Sequence, residues 1–397
     1  LGKTKNTNAV KKPNADGLSG GAMAPAARRR KGRILSQRIR QLDIRKGMLA
    51  SDMVEAMADM SIQARNLGAC AQVLGRMYAD RRRPTILLGL AGPLIAAGLR
   101  KVIRDLVVGG YVDVVVSTGA ILYQDIYQAR GFGHYRGTPA ADDTVLRDLR
   151  IDRIYDTYVD EEKFIETDIW CGLMADQFAA RASEARKTAT HGQDARETHG
   201  QDAHATHVTS SRAYLDYLGS QLRDDQSIVR QCHLLGVPVF SPAINDSSIG
   251  IGLTDHHHRC VRQGRAGVAI DSIRDNYELT QIVVKSPRTA AIYVAGGVPK
   301  NYINDAVVMS YIFGLERGHD YAVQVTTAVT QDGGLSGSTL GEAQSWGKIK
   351  KEASFAMAWV EPSVSLPLLA AYIFDKCPRS RKRLKLDWDG EILKNLK

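Results

Sequence analysis

The chain has 397 residues, 44% of them apolar and 24% charged, with 53 Lys and Arg against 43 Asp and Glu for a formal charge of +10. These proportions exclude wholesale disorder, a fibrous repeat and a disulfide-stapled mini-domain, and they allow a large buried core. The charge is uneven: residues 1–46 hold 13 basic and 2 acidic side chains and residues 376–397 hold 8 and 3, which leaves −6 on the body between them.

The first element is a tail. Residues 1–33 are rich in Lys, Asn, Gly and Ala with almost no large apolar groups, so they cannot bury enough surface to offset ordering entropy and are expected to be disordered. Their basic block, Arg28 to Lys31, and the matching Arg381, Lys382, Arg383 in a second expected tail at 376–397 read as solvated flanks, not as a nucleic-acid surface. The domain proper is expected over 34–375. Its five cysteines, Cys70, Cys171, Cys232, Cys260 and Cys377, include no C-x-x-C pair, which argues against a disulfide framework. No apolar run is long enough to span a bilayer and the first residues are polar, so the expected setting is a reducing compartment, the cytoplasm, with no membrane partner. The Arg-rich, acid-poor stretch at 24–33 leaves a transit or nuclear signal as the alternative.

Within the body, TILLGL at 85–90 reads as a buried strand, Leu94 to Val108 has helical spacing, and the β-branched VDVVVST run at 112–118 is followed by Gly119. An eight-residue repeat then interrupts the pattern, THGQDARE at 190–197 followed by THGQDAHA at 198–205. It is too short for a solenoid unit and has no apolar face, so an expanded surface loop is expected over about 184–211. Three adjacent histidines, His256 to His258, point in divergent directions, and no metal site is assigned. The strand-then-helix rhythm resumes at 237–241, 268–272, 290–295 and 321–327. Such alternation predicts an α/β fold of the Rossmann-like, doubly wound kind, a mostly parallel sheet with helices on both faces.

Ligands in that architecture lie beyond the carboxyl ends of the strands. Thr118, Gly119 and Ala120 follow the second strand, Asp246 follows the strand at 237–241, and Gly296 and Gly297 follow the strand at 290–295. The glycine pair could present backbone N–H groups to a pyrophosphate or form a plain turn, and Asp246 could hold a ribose hydroxyl or cap a helix. Further on, DGGLSGSTLGEAQSWGK at 332–348 leads from a glycine-rich loop to Glu342, Trp346 and Lys348. A lysine beside an indole can lose solvation, which makes its neutral amine available to an imine or carbonyl; the alternative is a surface lysine.

The strings EAQSWGKIK, DGGLSG, GHDYAVQVTTA, AGGVPKN and FSPAINDSSIG resemble the deoxyhypusine synthase family over roughly 42–371. The resemblance implies a Rossmann-like homotetramer with sites shared across a dimer interface. It also implies NAD-dependent transfer of an aminobutyl group from a polyamine, through an imine on a lysine, to an acceptor amine. Lys348 matches that lysine. Thr118, Gly119, Ala120, Asp246, Gly297, Thr327 and Asp332 match cofactor contacts, and Glu342, Trp346, Gly333 and Asn301 fall at substrate positions, with Trp346 as a cation–π wall. Other positions depart from the family. Tyr123 and Gln124 replace two acidic residues, Ile251 and Leu335 replace aspartates, Asn301 replaces a histidine, and Glu361 and Pro362 replace an Asp-Ala pair. An ammonium without carboxylates is costly to bury, so spermidine is expected to bind poorly in the usual pose. The implied acceptor is the lysine of the translation factor 5A precursor, with putrescine or another small amine as the alternative. The remaining reading is a non-catalytic paralogue that assembles with an active homologue.

Overall fold

A computed structural model of the chain describes residues 23–190, 206–377 and 381–397. The chain divides into two units, residues 1–41 and 42–397. In the first, helix α1 (Pro25–Ile34) starts on a proline, ends on Lys31 and Arg33, and buries no side chain. This revises the tail expected at 1–33: poverty in large apolar groups rules out a core, but Ala, Arg and Lys are good helix formers and proline suits the first turn. Residues 1–22 lie outside the described residues.

The second unit is built on six strands, β1 (Thr85–Leu90), β2 (Val114–Ser117), β3 (Val239–Phe240), β4 (Thr289–Val294), β5 (His319–Val325) and β6 (Ile349–Ala358). They form one sheet in the order β6-β5-β4-β1-β2-β3, and every pairing is parallel. Every residue of β1 and of β4 is buried, which explains why these strands read as continuous apolar runs without alternation. Successive side chains still enter opposite layers. Ile86, Leu88 and Leu90 join Leu67, Leu74, Leu366 and Ile373 in one core, where helices α2 (Ile62–Ala79) and α10 (Pro362–Lys376) lie. Leu87, Ala291 and Tyr293 join Leu279, Ile282, Ile303 and Val307 in the other, on α7 (Ser272–Lys285) and α8 (Gly297–Ile312). Gly89 leaves room for the second layer, since a Cβ there would press on the Ile303 and Tyr293 side chains at 3.2 and 3.3 Å.

The chain runs outward from β1 through β2 to β3, then returns to the far side of β1 and continues through β4, β5 and β6. The winding therefore reverses between β1 and β4, where open α/β sheets leave a crevice. Helices α3 (Arg100–Val108), α4 (Gly119–Ala129), α5 (Glu161–Thr190) and α6 (Ser248–Gln263) are among those of the first half. The run at 268–272 does not enter the main sheet; Val268–Ile270 pairs in parallel with His207–Thr209. The loop expected at 184–211 is shorter at both ends, since α5 continues to Thr190 and His207–Thr209 is a strand; residues 191–205 lie outside the described residues.

The expected C-terminal tail is also corrected. Leu386–Asp389 and Ile392–Leu396 form an antiparallel hairpin. Leu393 is fully buried in the second core, and the Arg212 guanidinium lies 4.0 Å from the centre of the Trp388 ring. Arg381 Nη2 donates to Pro84 O at 2.5 Å and Arg383 Nη1 to Val107 O at 3.0 Å. These cations close orphaned carbonyls at strand and helix ends, so the basic block is part of the fold. No helix among the described residues is long and apolar enough to cross a membrane.

Candidate active site

Two helices begin at the sheet's carboxyl edge beside the crevice. Thr118 N donates to Leu90 O at 3.1 Å and leads directly into α4 at Gly119. A Cβ on Gly119 would fall within 2.6 Å of Ser247 Cβ and closer still to its Oγ, so only glycine lets this turn meet the loop that enters α6. Ser247 caps α6, accepting from Gly250 N at 3.4 Å and donating to Ile244 O at 2.5 Å. The cap is therefore Ser247, and Asp246, one residue earlier, is exposed.

At the head of α8, Ala295 and Gly297 adopt left-handed φ values of 61° and 57°. Gly297 N donates to Ser336 Oγ at 2.9 Å, and the buried Gln324 amide donates to both Ala295 O and Ser336 O, at 2.8 and 2.9 Å. The glycine-rich loop is thus fastened to the start of α8. Thr327 and Asp332 are exposed in the segment after β5, and Gly333 ends the short turn Thr330–Asp332 in a left-handed conformation.

Between α8 and a short helix α9 (Leu340–Ser345) lies a cavity of about 170 Å³ lined by Lys300, Asn301, Asn304, Leu335, Ser338, Glu342, Ala343, Trp346 and Lys348. Thr339 caps α9, its Oγ1 accepting from Glu342 N at 2.9 Å. Gly347, at φ 69°, turns the chain after Trp346, and Lys348 N and O then bond Ala343 O and His319 N, each at 3.0 Å. The Lys348 side chain is 16% exposed, with Nζ 3.8 Å from Asp305 Oδ1 and 5.5 Å from the Trp346 ring centre. Trp346 itself is 65% exposed at the mouth.

Lys348, Trp346, Glu342 and Asn301 are therefore brought together, whereas Gly333, Thr327, Asp332, Asp246 and the Thr118–Ala120 turn do not line this cavity. Two residues escaped the sequence reading. Lys300 is 1% exposed, and its Nζ donates to Ser338 O and Oγ at 2.5 and 3.0 Å. Burial, reinforced by the Lys348 charge and opposed by Glu342, lowers its amine to about 8. Asp305 is the second: its Oδ2 accepts from Asn301 Nδ2 at 2.9 Å, and burial raises its carboxyl while Lys348 lowers it. The available signal was helical spacing, since Asn301 and Asp305 share one face of α8 four residues apart.

The departures from the family pattern have definite structural consequences. Tyr123 is buried, its hydroxyl donating to Phe164 O at 2.7 Å, and Gln124 Oε1 accepts from Ala96 N at 3.1 Å. Both are committed to holding α4 in place. Ile251 and Leu335 remain 56% and 42% exposed. Glu361 caps α10, Oε2 accepting from Ser363 N at 2.8 Å ahead of Pro362. Asp176, His256 and Cys260 lie within 4.8 Å of one another. However, Asp176 already pairs with Arg259 and Arg265, and His256 Nε2 accepts from Val268 N at 3.0 Å, so this is a packing hub with its lone pairs in use.

Comparison with known proteins follows the same outline. The family model described as deoxyhypusine synthase matches residues 52–373. A "Deoxyhypusine synthase-like protein" of Chlorobaculum tepidum is 39% identical over 346 residues, 86% of this chain and 89% of the relative. The "Probable deoxyhypusine synthase 2" of Methanosarcina acetivorans is 36% identical over 352 residues, 87% of this chain and 92% of the relative. The crystal structure of a candidate deoxyhypusine synthase from Entamoeba histolytica superposes with a TM-score of 0.54 at 18% identity, covering 85% of this chain and 96% of that one, which supports the fold. Its sequence, with the matched span running from the segment before α2 into α10, places this chain in the deoxyhypusine synthase family.

Proposed function

We propose that the chain is an aminobutyl transferase that takes a four-carbon amine fragment from a polyamine onto Lys348 and passes it to an acceptor amine. The observation that carries this reading is the sheltered Lys348 amine, 16% exposed and set over the Trp346 ring in a cavity that also holds Glu342 and Lys300.

NAD fits the crevice on three features of the fold. The winding reverses between β1 and β4, the N-terminus of α4 can face a pyrophosphate, and the exposed Asp246 carboxylate can accept from a ribose hydroxyl. Thr118, Gly119, Ala120, Asp246 and Gly297 would hold it, with Thr327 and Asp332 at the edge. Bound there, it would supply the reversible two-electron oxidation that makes an amine carbon electrophilic. The chain's own residues do the rest. Trp346 lines the methylene segment and favours a nearby ammonium through its ring face. Glu342 supplies a negative charge at the cavity wall. Lys348 attacks the electrophilic carbon and displaces the leaving amine, and the buried Ala343 forms an apolar wall beside it.

For the acceptor, the reading follows the family, a lysine of the translation factor 5A precursor. The second reading is transfer to a small diamine, whose two ammonium groups would call for more carboxylates than the buried Tyr123 and Gln124 provide. The test is direct. Purified protein receives NAD and labelled spermidine or putrescine, then one acceptor or none, and is finally quenched with borohydride for peptide mass analysis. A butyl-amine adduct on Lys348 that is discharged by one acceptor and not the other supports the reading and selects the acceptor. Absence of an adduct with every polyamine tried, alongside an active relative as control, refutes it and leaves the non-catalytic paralogue.

A further inference from the structure

We propose that Asp305 is the proton partner of Lys348: it positions the lysine nitrogen over Trp346 and accepts its proton when the amine attacks. The inference deepens the transferase reading and rests on it for the identity of the reaction, but not for the pairing itself.

The geometry has three parts. Asp305 and Asn301 lie four residues apart on α8, and Asn301 Nδ2 fixes Asp305 Oδ2 at 2.9 Å. That bond leaves Oδ1 directed at Lys348 Nζ, 3.8 Å away. The lysine is held from the other side by its backbone bonds to Ala343 and His319, so its side chain approaches α8 from a fixed base. The ionisable groups around this nitrogen are Asp305 and Lys300 on α8 and Glu342 on α9, with Tyr302 beside Asp305. Among the described residues Asp305 is the carboxylate paired with Lys348 Nζ, and Asn301 has no proton to exchange near neutral pH. Asp305 is left as the group that can take the lysine proton. Burial already favours the protonated carboxyl there, which brings the two proton positions closer in energy than in water.

The proton balance is simple. The Lys348 ammonium gives one proton to the Asp305 carboxylate, and the neutral Nζ adds to a protonated imine carbon. A proton moves within the adduct to the departing nitrogen, the bond from carbon to that nitrogen breaks, and a protonated lysine imine remains. Asp305 then returns its proton to the released amine. Charge is conserved and no oxidation accompanies the exchange.

The experiment uses the full chain and a probe that needs neither cofactor nor polyamine: butanal with cyanoborohydride, with alkylation at Lys348 followed by peptide mass analysis from pH 5 to 10. Asp305→Asn is expected to lower the pH of half-maximal labelling by about one unit relative to wild type, hence to raise labelling about tenfold on the acid side. Asp305→Glu is expected to restore it, while Glu342→Gln leaves it nearly in place. Circular dichroism and thermal melting establish that each variant is folded; should Asp305→Asn fail to fold, Asp305→Ser is measured against the same criterion. An unchanged midpoint without the carboxylate, or a larger shift in Glu342→Gln, overturns the proposal. A shifted midpoint in a protein that forms no polyamine adduct upholds the pairing and removes the transferase reading, so the two failures are separable.

Discussion

Substituting Gly119 tests how the crevice wall is assembled. In Gly119→Ala the new methyl carbon would fall 2.6 Å from Ser247 Cβ, about 1 Å inside ordinary carbon contact. Ser247 cannot retreat freely, because its hydroxyl donates to Ile244 O at 2.5 Å and accepts from Gly250 N at the head of α6. Making room costs about 1–3 kcal/mol in overpacking strain and, if the cap is broken, about 1 kcal/mol more. A total near 3 kcal/mol is expected. Ser247→Gly removes both clashing atoms at a cost of about 1 kcal/mol, chiefly the lost hydrogen bond, since glycine is tolerated as a cap. The double variant should therefore resemble Ser247→Gly and recover about 2 kcal/mol of the single-variant loss. Urea midpoints at constant slope for the four proteins measure the cycle. Additive penalties, with the double variant near 4 kcal/mol down, would show that the two turns do not meet and would dismantle this wall of the proposed cofactor crevice.

Further outcomes follow from burial. Because the folded Lys300 amine titrates near 8 instead of its ordinary 10.5, the unfolded chain holds a proton between those values that the folded chain has shed. The stability of wild type relative to Lys300→Met should thus rise with pH across that window, by about 1.4 kcal/mol per unit at most; a flat difference in denaturation midpoints contradicts the assignment. Burial pushes the thiols of Cys70 and Cys377 to about 12 and raises those of Cys171, Cys232 and Cys260. An aromatic disulfide reagent at pH 8 should find no fast-reacting thiol in the native chain and all five after denaturation, and rapid native labelling would count against the described packing. In the C-terminal hairpin, Leu393→Ala should cost about 2–5 kcal/mol and the exposed Lys394→Ala under about 0.5 kcal/mol; equal effects on the melting temperature would return the segment to a solvated tail.

The doubly wound plan was readable because β1, β2 and β4 are buried on both faces and leave uninterrupted apolar runs. The edge strand β6 was not, since IKKEASFAMA carries three consecutive charges after its first residue and only its two ends are buried. The C-terminal hairpin carried a turn signal, Asp389 and Gly390 between alternating segments, but the surrounding cations weighed toward a tail. Only tertiary structure shows that Arg381 and Arg383 are bonded to main-chain carbonyls. At the site, the motif around Lys348 was legible as a string. The partnership of Lys348 with Asp305 was not, because it joins α8 to the turn before β6 across 43 residues of sequence.

The fastening of the glycine-rich loop has an evolutionary consequence. Gln324 grips the loop by main-chain oxygens, and Leu335 projects from it without sharing that grip. A lineage can therefore exchange the group at 335 and alter the charge of the cavity wall while the scaffold beneath stays put. A change of charge at this one position then requires no compensating change in the main-chain contacts that hold the loop.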